Sequence, residues 1–299
     1  MPTFNKKERF QGLVRNATES IYPSLWDGLV GYWSPSLGIQ GTNTLRDFSG
    51  FNNHGTLFGN ILRSQWVTSQ FGTALRLNGD GDFATCGNKS SINFERTDSF
   101  SLGGWMYQNN TANDNHFISK QSSLNDNLYR GYYLIASFVS PTNRILFSLR
   151  NTTSNRIFLQ GSDQLLAFKW YHIFATYNGS SVASGAKIYI NGKRDLAATV
   201  TADNLSATTI TSRPLCIGAR NNSFVAADDF EGLIGNAMIY NRVLSDNEIK
   251  TLYSMSSPLI GGYGPLPSNS PRSILKMYID YVKISRIIRP GGNYEFPRE

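Results

Sequence analysis

The sequence predicts an all-β protein that folds as a sandwich of two antiparallel sheets. Between Gly28 and about Leu244, short segments of alternating apolar and polar residues are separated by clusters of Gly, Asn, Asp and Ser. A dozen such segments at close spacing favour a β-sandwich or barrel over repeated strand–helix–strand units. Only 16% of the 299 residues are charged and 27 are glycine, which suits a protein with polar but uncharged loops.

The segment KWYHIFATY, residues 169–177, is predicted to form a central strand of this stack. Successive side chains of a strand point to opposite faces, and here both faces carry aromatic or aliphatic groups. The two faces are Trp170, His172, Phe174 and Thr176 on one side, and Tyr171, Ile173, Ala175 and Tyr177 on the other.

A hairpin is predicted in the segment YINGKR. Asn191 and Gly192 can adopt the positive φ values that a type I′ turn requires, and apolar alternation precedes them. We therefore expect two antiparallel strands joined by these two residues.

One short helix is expected at the end of the domain. In the segment SDNE, Ser245 and Glu248 have the spacing of a capping box, in which each side chain binds the other residue's backbone N–H. Leu244 and Ile249 occupy the two positions of a hydrophobic staple. These signals predict a helix that continues to about Ser254.

Four regions are expected along the chain. An N-terminal arm, residues 1–27, precedes the sandwich, residues 28–257, and a Pro/Gly/Ser linker, residues 258–272, leads into a basic amphipathic arm, residues 273–299. The C-terminal arm fits a strand or a helix, and neither could bury its apolar side alone. Assembly contacts are therefore expected from apolar and basic residues of the arms, namely Phe4, Phe10, Leu275, Met277, Ile279, Tyr281, Arg286 and Arg289.

Charge and hydropathy argue against several classes of protein. The net charge is +7, but the chain has no dense basic stripe or recognisable motif of a nucleic-acid binder. No apolar stretch approaches the roughly 20 residues of a membrane span, and the N-terminus lacks the apolar core of a signal peptide. We expect a protein that binds no nucleic acid directly and is made and assembled in the cytoplasm.

The two cysteines, Cys86 and Cys216, are too few for a disulfide scaffold. Each follows a strand-like segment, so a disulfide between them is conceivable. Without an export signal, two free and buried thiols are the favoured interpretation.

No catalytic or zinc motif is found. His54, His116 and His172 lie far apart and lack metal-ligand spacing, and His172 is expected to be a core or edge histidine. Glycan-cleaving enzymes need two suitably placed carboxylates. The closest pattern here is Asp229 and Glu231, with no third carboxylate following, so a non-enzymatic protein is expected.

Ligand-binding residues stay undetermined at this point. The loops 107–116, 121–130 and 221–229 are rich in Asn, Asp and Ser, which suit hydroxyl recognition and ordinary solvated turns equally. Most aromatic residues of such a domain serve the core. The aromatic residues weighed as sugar-stacking candidates are Trp66, Tyr107, Tyr129 and Tyr132.

Eight segments occur in an order and spacing that point to a known family. They are GLVGYWSPSLG, LRDFSGFNNHGTL, ALRLNGDGDFATCGN, FSLGGWMY, WYHIFATYNG, KIYINGKRD, PLCIGAR and FEGLIGNAMIYNRVLSDNEIKTLY. This ordered set, over about residues 28–254, resembles the laminin-G-like, concanavalin A-like jelly-roll domains. The resemblance implies two antiparallel sheets, a short closing helix, and binding of glycans or proteins. The lead-in SLWDGLVGYWSPSLG looks like versions found in bacteriophage structural proteins.

The resemblance also implies a calcium site. The segment from Asp47 to Gly55 is similar to the family's DxSGxxNxG turn, which in several members lies near an acidic residue of the last long strand, here Asp229. Asp47, Asn53 and Asp229 are therefore expected to supply part of a calcium shell, with backbone carbonyls supplying the rest. The alternative is that Asp47 and Ser49 bind the backbone of their own turn.

The leading hypothesis is a non-enzymatic structural or adhesive virion protein, as a capsid decoration, a fibre or a tail-associated protein. Its jelly roll would bind host glycans or proteins, and its arms would bind virion proteins and other copies of the chain. A carbohydrate-binding lectin module is the main alternative, and a glycoside hydrolase is a less favoured one.

Overall fold

The computed structural model describes residues 22–37, 41–59, 65–69, 72–111, 113–121, 129–139, 142–220 and 229–256. These residues form one α-helix, α1, Asp246–Ser256, and four short 3₁₀ turns. They also form strands β1 Leu29–Trp33, β2 Thr44–Leu45, β3 Gly55–Phe58, β4 Trp66–Ser69, β5 Gly72–Asn78, β6 Phe83–Thr85, β7 Ser99–Gln108, β8 Asn115–Gln121, β9 Gly131–Val139, β10 Thr142–Arg150, β11 Arg156–Gln160, β12 Lys169–Asn178, β13 Ala186–Ile190, β14 Lys193–Arg194, β15 Thr199–Asp203, β16 Cys216–Ile217 and β17 Glu231–Tyr240.

The strands form two antiparallel sheets, which confirms the predicted two-sheet jelly-roll sandwich. The eight-stranded sheet has the order β14-β13-β12-β7-β17-β5-β4, and β1 pairs with the second half of β17. The nine-stranded sheet has the order β15-β11-β10-β9-β8-β16-β6-β3-β2. Many neighbours in these orders are distant in sequence, so the fold depends on pairing between segments that the chain itself does not bring together.

The core lies between the two sheets and is rich in aromatic rings. Phe100 of β7, on the eight-stranded sheet, packs against Tyr132 and Phe147 of the nine-stranded sheet, with ring centroids 5.3 and 6.1 Å apart. All three side chains are fully buried, and each such burial is worth about 1.5–3 kcal/mol. The Tyr132 hydroxyl donates a 2.8 Å hydrogen bond to the Ile92 carbonyl, so this polar atom is satisfied inside the core.

The central strand β12 has the two faces that its alternation predicts. Its inner residues, Tyr171, Ile173, Ala175 and Tyr177, belong to the core. On the other face, the His172 ring lies against Trp105 and Phe174, and Tyr253 from α1 covers it at a centroid distance of 5.7 Å. The helix therefore supplies the second layer that an apolar outer strand face needs.

The predicted two-residue hairpin and the predicted capping box are both present. Asn191 and Gly192 have φ values of 51° and 75°, and they join β13 to β14 as a two-residue hairpin. At the start of α1, the Glu248 N–H donates to the Ser245 hydroxyl at 3.3 Å, and the Ser245 N–H donates to the Glu248 carboxylate at 2.8 Å. The capping box therefore holds both ends of the first helical turn.

Both predicted arms fall largely outside this description. Residues 1–21 and 257–299 lie beyond the described residues, and so does the predicted linker. The same is true of the predicted assembly residues Phe4, Phe10, Leu275, Met277, Ile279, Tyr281, Arg286 and Arg289, whose role stays a prediction.

The substitution Gly192→Ala is expected to destabilise the protein by about 2–3 kcal/mol. The residue has positive φ, and an added Cβ would lie only 2.8 Å from the Tyr253 Cβ. Gly87→Ala is a matched control, because Gly87 has φ of 72° but an added Cβ would meet nothing within 4 Å.

Urea unfolding of both variants separates backbone strain from collision. The free energy of unfolding of the Gly87→Ala control should fall only by the cost of the left-handed conformation, about 1 kcal/mol. Equal losses in the two variants would show that the contact between the hairpin and α1 does not constrain this turn.

Candidate functional site

Asp47 is the centre of the turn-rich segment between β2 and β3. One carboxylate oxygen accepts hydrogen bonds from the N–H groups of Tyr32 and Ser49, both at 2.9 Å. The other accepts from the Ser49 hydroxyl at 2.9 Å and from the Asn53 N–H at 2.8 Å. A carboxylate offers about four acceptor positions. These four donors therefore fill the accepting positions of the buried Asp47 side chain. The self-binding turn that the sequence suggested as an alternative is therefore present.

The structure brings two of the three predicted calcium ligands together. Asn53 lies in the same turn as Asp47 and donates its backbone N–H to the Asp47 carboxylate. Its side-chain amide donates to the Val30 carbonyl at 2.7 Å. The Asp229 carboxylate instead accepts from the Gly81 N–H at 2.9 Å. Within the described ranges, no group of three or more His, Cys, Asp or Glu side chains could hold a metal ion. Calcium binding by Asp47, Asn53 and Asp229 stays a prediction.

The two cysteines are buried free thiols, as favoured by the sequence. Cys86 belongs to the main core, whereas Cys216 packs with Phe83 and Ala219 in a separate cluster. Burial raises the pKa of both thiols, that of Cys216 to about 12. Neither thiol is therefore a nucleophile at neutral pH.

A set of polar and aromatic side chains lies on the outer face of the nine-stranded sheet, turned away from the core. Because Tyr132 and Leu134 of β9 point into the core, Gly131 and Tyr133 lie on the opposite side. The strand register then aligns two rows across β8, β9, β10 and β11. These rows are Gln121, Gly131, Arg150 and Arg156, and Ser119, Tyr133, Ser148 and Phe158.

Arg150 is at the centre of this face. Its guanidinium donates to the Tyr133 hydroxyl and, through Nε, to the Ser148 hydroxyl at 3.2 Å. The same guanidinium lies over the Tyr133 ring, 4.7 Å from the centroid, and only 7% of the residue is exposed. Burial lowers the pKa of Arg150, the Tyr133 hydroxyl raises it, and the positive charges of Arg156 and Arg220 lower it further.

His116 lies beside this arginine. Its ring meets the Tyr133 ring edge-on at a centroid distance of 5.6 Å, and only 1% of the residue is exposed. Burial, followed by the charges of Arg220 and Arg150, holds the pKa of His116 well below its ordinary value. At neutral pH the ring is therefore uncharged, with one donor and one acceptor nitrogen.

Two side chains of this face have hydrogen-bonding atoms that the described residues leave unused. Both ring nitrogens of His116 and the amide oxygen of Gln121 are buried without a partner among those residues. Such atoms are uncommon in folded proteins and point to a ligand or an ordered water. We call His116, Ser119, Gln121, Tyr133, Ser148 and Arg150 the outer-face cluster.

Half-buried aromatic and basic side chains border this cluster. The Arg220 guanidinium lies 6.0 Å from the Tyr129 ring centroid, and that of Arg156 lies 4.7 Å from the Phe158 ring centroid. At Gly131, an added Cβ would overlap the Lys120 carbonyl oxygen, so only glycine fits there. The position between Gln121 and Arg150 therefore carries no side chain.

The four aromatic candidates from the sequence have different locations. Tyr129 borders the outer-face cluster, Tyr107 contacts Trp170 on the eight-stranded sheet, and Trp66 packs against the core. Tyr132 is not a sugar-stacking residue, because alternation along β9 directs its side chain into the core. Its neighbour Tyr133 is the residue that reaches the outer face, and a one-residue difference in strand phase separates the two.

Two stacked antiparallel sheets with one short closing helix define a jelly-roll β-sandwich. Residues 78–250, more than half of the chain, match the family described as the concanavalin A-like lectin/glucanases superfamily. The chain belongs to this family, which confirms the resemblance seen in its segments. No curated protein matches the chain in sequence.

Several solved structures share the fold at low sequence identity. The binding domain of Paraclostridial Mosquitocidal Protein 1 is 17% identical with a TM-score of 0.57, over 77% of this chain and 52% of that one. Domain 4 of AbnA, a GH43 extracellular arabinanase from Geobacillus stearothermophilus in complex with arabinotriose, is 16% identical with a TM-score of 0.52, over 75% of this chain and 98% of that one.

A third similar structure is that of botulinum neurotoxin type C, whose cell entry depends on interaction with two ganglioside molecules. It is 16% identical with a TM-score of 0.55, over 79% of this chain and 53% of that one. The chain thus spans about half the length of the toxin structures it matches. In the described part of the chain, no helix has the length and apolarity needed to cross a membrane.

The substitution His172→Phe is expected to reduce the loss of stability in acid. Burial lowers the pKa of His172 to about 3, whereas a histidine of the unfolded chain titrates near 6.5. Protonation below about pH 6.5 therefore favours the unfolded chain, by up to about 1.4 kcal/mol per pH unit until the pH approaches 3.

Urea unfolding of both proteins at pH 7, 6, 5 and 4 tests this expectation. His116 is unchanged in the variant, so the difference in slope isolates His172. Parallel losses of stability in the two proteins would contradict the assignment.

Proposed function

We propose that this protein is a non-enzymatic binding module that holds a saccharide on the outer-face cluster. One observation carries the proposal. Buried hydrogen-bonding atoms of His116 and Gln121, which no described residue uses, lie beside the hydroxyl and guanidinium groups of Tyr133, Ser148 and Arg150. Ligand sites combine apolar or aromatic surface with a few placed polar groups in this way.

The chemistry of the cluster suits a saccharide. Hydroxyls of a sugar both donate and accept hydrogen bonds, and the cluster offers hydroxyl, amide, imidazole and guanidinium partners. The half-buried Phe158 ring, which packs beside the buried Tyr133, adds apolar surface for the carbon skeleton of a sugar.

Two of the similar structures support a binding role. Domain 4 of AbnA was solved with arabinotriose, and botulinum neurotoxin type C interacts with gangliosides. They share only the fold with this chain, so they support the class of ligand and not its identity.

Glycan-array binding by the full chain should be weakened by Tyr133→Phe, which removes one hydroxyl from the cluster. A lost hydrogen bond between neutral groups is worth about 0.5–1.5 kcal/mol, so affinity should fall about two- to tenfold. Tyr189→Phe is the matched control, because Tyr189 lies on β13 of the eight-stranded sheet and donates its hydroxyl to the Asp246 carboxylate of α1 at 2.7 Å.

Absence of binding across neutral and acidic glycans would overturn the proposed saccharide function. Unchanged binding by Tyr133→Phe would instead move the site elsewhere. Release of reducing ends from a bound glycan would contradict the non-enzymatic part of the proposal, and Asp229→Ala and Glu231→Ala would then identify the carboxylates involved.

We propose that the module acts in a virion or another large assembly, to which its two arms attach it. The support is the sequence of the arms: basic and apolar residues follow a Pro/Gly/Ser linker and cannot bury themselves alone. Such segments order on binding and bury area that the free chain leaves exposed. A protein partner at the sandwich itself is the alternative to a saccharide.

Removal of residues 258–299 is expected to abolish self-association or co-assembly while leaving glycan binding intact. Light scattering after gel filtration measures the mass of the full and shortened chains, and the glycan array measures binding. Equal oligomeric mass and equal incorporation into particles would show that the C-terminal arm has no assembly role.

A further inference from the structure

We infer that the ligand of the outer-face cluster is an anionic saccharide, whose carboxylate or sulfate group pairs with Arg150. The inference rests on the proposed binding function and specifies the chemical class of its ligand.

Among the described residues, the charge of Arg150 has no acidic partner. Its hydrogen bonds go to the neutral hydroxyls of Tyr133 and Ser148, and it stacks on the Tyr133 ring. Only 7% of the residue is exposed. A buried charge is costly unless it is paired, so a site of this kind favours an incoming anion.

The charges of Arg156 and Arg220, which act on Arg150, are also positive. Arg156 is the direct neighbour of Arg150 across the β10–β11 pair, and Arg220 is close enough to disfavour its charged form. The ring of His116 also stays neutral among these arginines. Like charges that crowd together repel, and an anion between them would relieve this repulsion.

Arg150 also has N–H donors that no residue in the described ranges uses. A guanidinium has five N–H groups, and Tyr133 and Ser148 use two of those on Arg150. The remaining three can bind a carboxylate or sulfate through two parallel hydrogen bonds.

Hydroxyl groups next to Arg150 suit the rest of the ligand as hydrogen-bond acceptors. Ser119, Ser148 and Tyr133 align across three strands. The two serine hydroxyls donate to the Arg220 and Ile157 carbonyls at 2.7 and 3.1 Å, so what they offer a ligand is an accepting oxygen. Hydroxyl partners and an aromatic ring suit a sugar that carries an acidic group. They distinguish this cluster from a broad basic surface, which would bind polyanions through charge alone.

The experiment uses the full chain and three immobilised polysaccharides: polygalacturonate for carboxylate, dextran sulfate for sulfate, and unmodified dextran as the neutral reference. The variants are Arg150→Met, which keeps much of the side-chain volume, and Arg156→Met at the half-buried border of the cluster. Arg194→Met is the matched control, because Arg194 is an exposed arginine on β14 of the other sheet. Circular dichroism and thermal melting establish that each variant is folded.

Wild type is expected to bind polygalacturonate or dextran sulfate and to bind dextran at least tenfold more weakly. Arg150→Met should reduce binding of the acidic polysaccharide at least tenfold, Arg156→Met severalfold, and Arg194→Met less than twofold. The dependence of affinity on salt concentration should become shallower in Arg150→Met than in the control.

Four results would overturn the inference. Binding of dextran that matches binding of the acidic polysaccharides would show that the anion is irrelevant, while leaving the proposed saccharide function standing. Equal losses in Arg150→Met and Arg194→Met would show a general charge effect. If Arg150→Met does not fold, unchanged binding by the folded Arg156→Met would count against the inference. Absence of binding to any glycan would overturn both the inference and the proposed function.

Discussion

Packing of Phe100 against Tyr132 and Phe147 joins the two sheets and fixes which face of each strand is buried. Side chains alternate along a strand, so a slip of one residue would exchange the two faces of the nine-stranded sheet. Tyr133 and Arg150 would then enter the core, and a buried arginine there would be prohibitively costly. The aromatic core therefore places the outer-face cluster, although none of its rings belongs to that cluster.

The fold could be predicted because its strongest signals are local. Two-residue alternation identifies strands such as β12, Asn191 and Gly192 specify a hairpin, and Ser245 with Glu248 specifies the start of α1. Each signal lies within about ten residues and concerns backbone conformation. Strand order required the family resemblance in addition, because pairs such as β7 with β17 join distant segments.

The outer-face cluster could not be predicted in this way. His116, Gln121, Tyr133 and Arg150 come from three strands, and each is unremarkable in its own segment. Only the register of β8, β9 and β10 brings them together. Tyr132 and Tyr133 show this limit, since a difference of one residue along β9 decides whether a tyrosine lies in the core or on the outer face. Asp47 shows another limit. The sequence predicts the turn, but the donor from β1, the Tyr32 N–H, depends on how β1 pairs in the folded protein.

The position of the thiols has a consequence for the conditions in which the protein folds. Cys86 and Cys216 are the only cysteines of the chain, and they lie in different clusters as buried free thiols. No covalent cross-link within the chain holds the sandwich together, so its folding requires neither an oxidant nor a disulfide isomerase. The same native state is therefore accessible in a reducing cell interior and in an oxidising extracellular medium, and a binding module that passes from one to the other need not change its covalent structure.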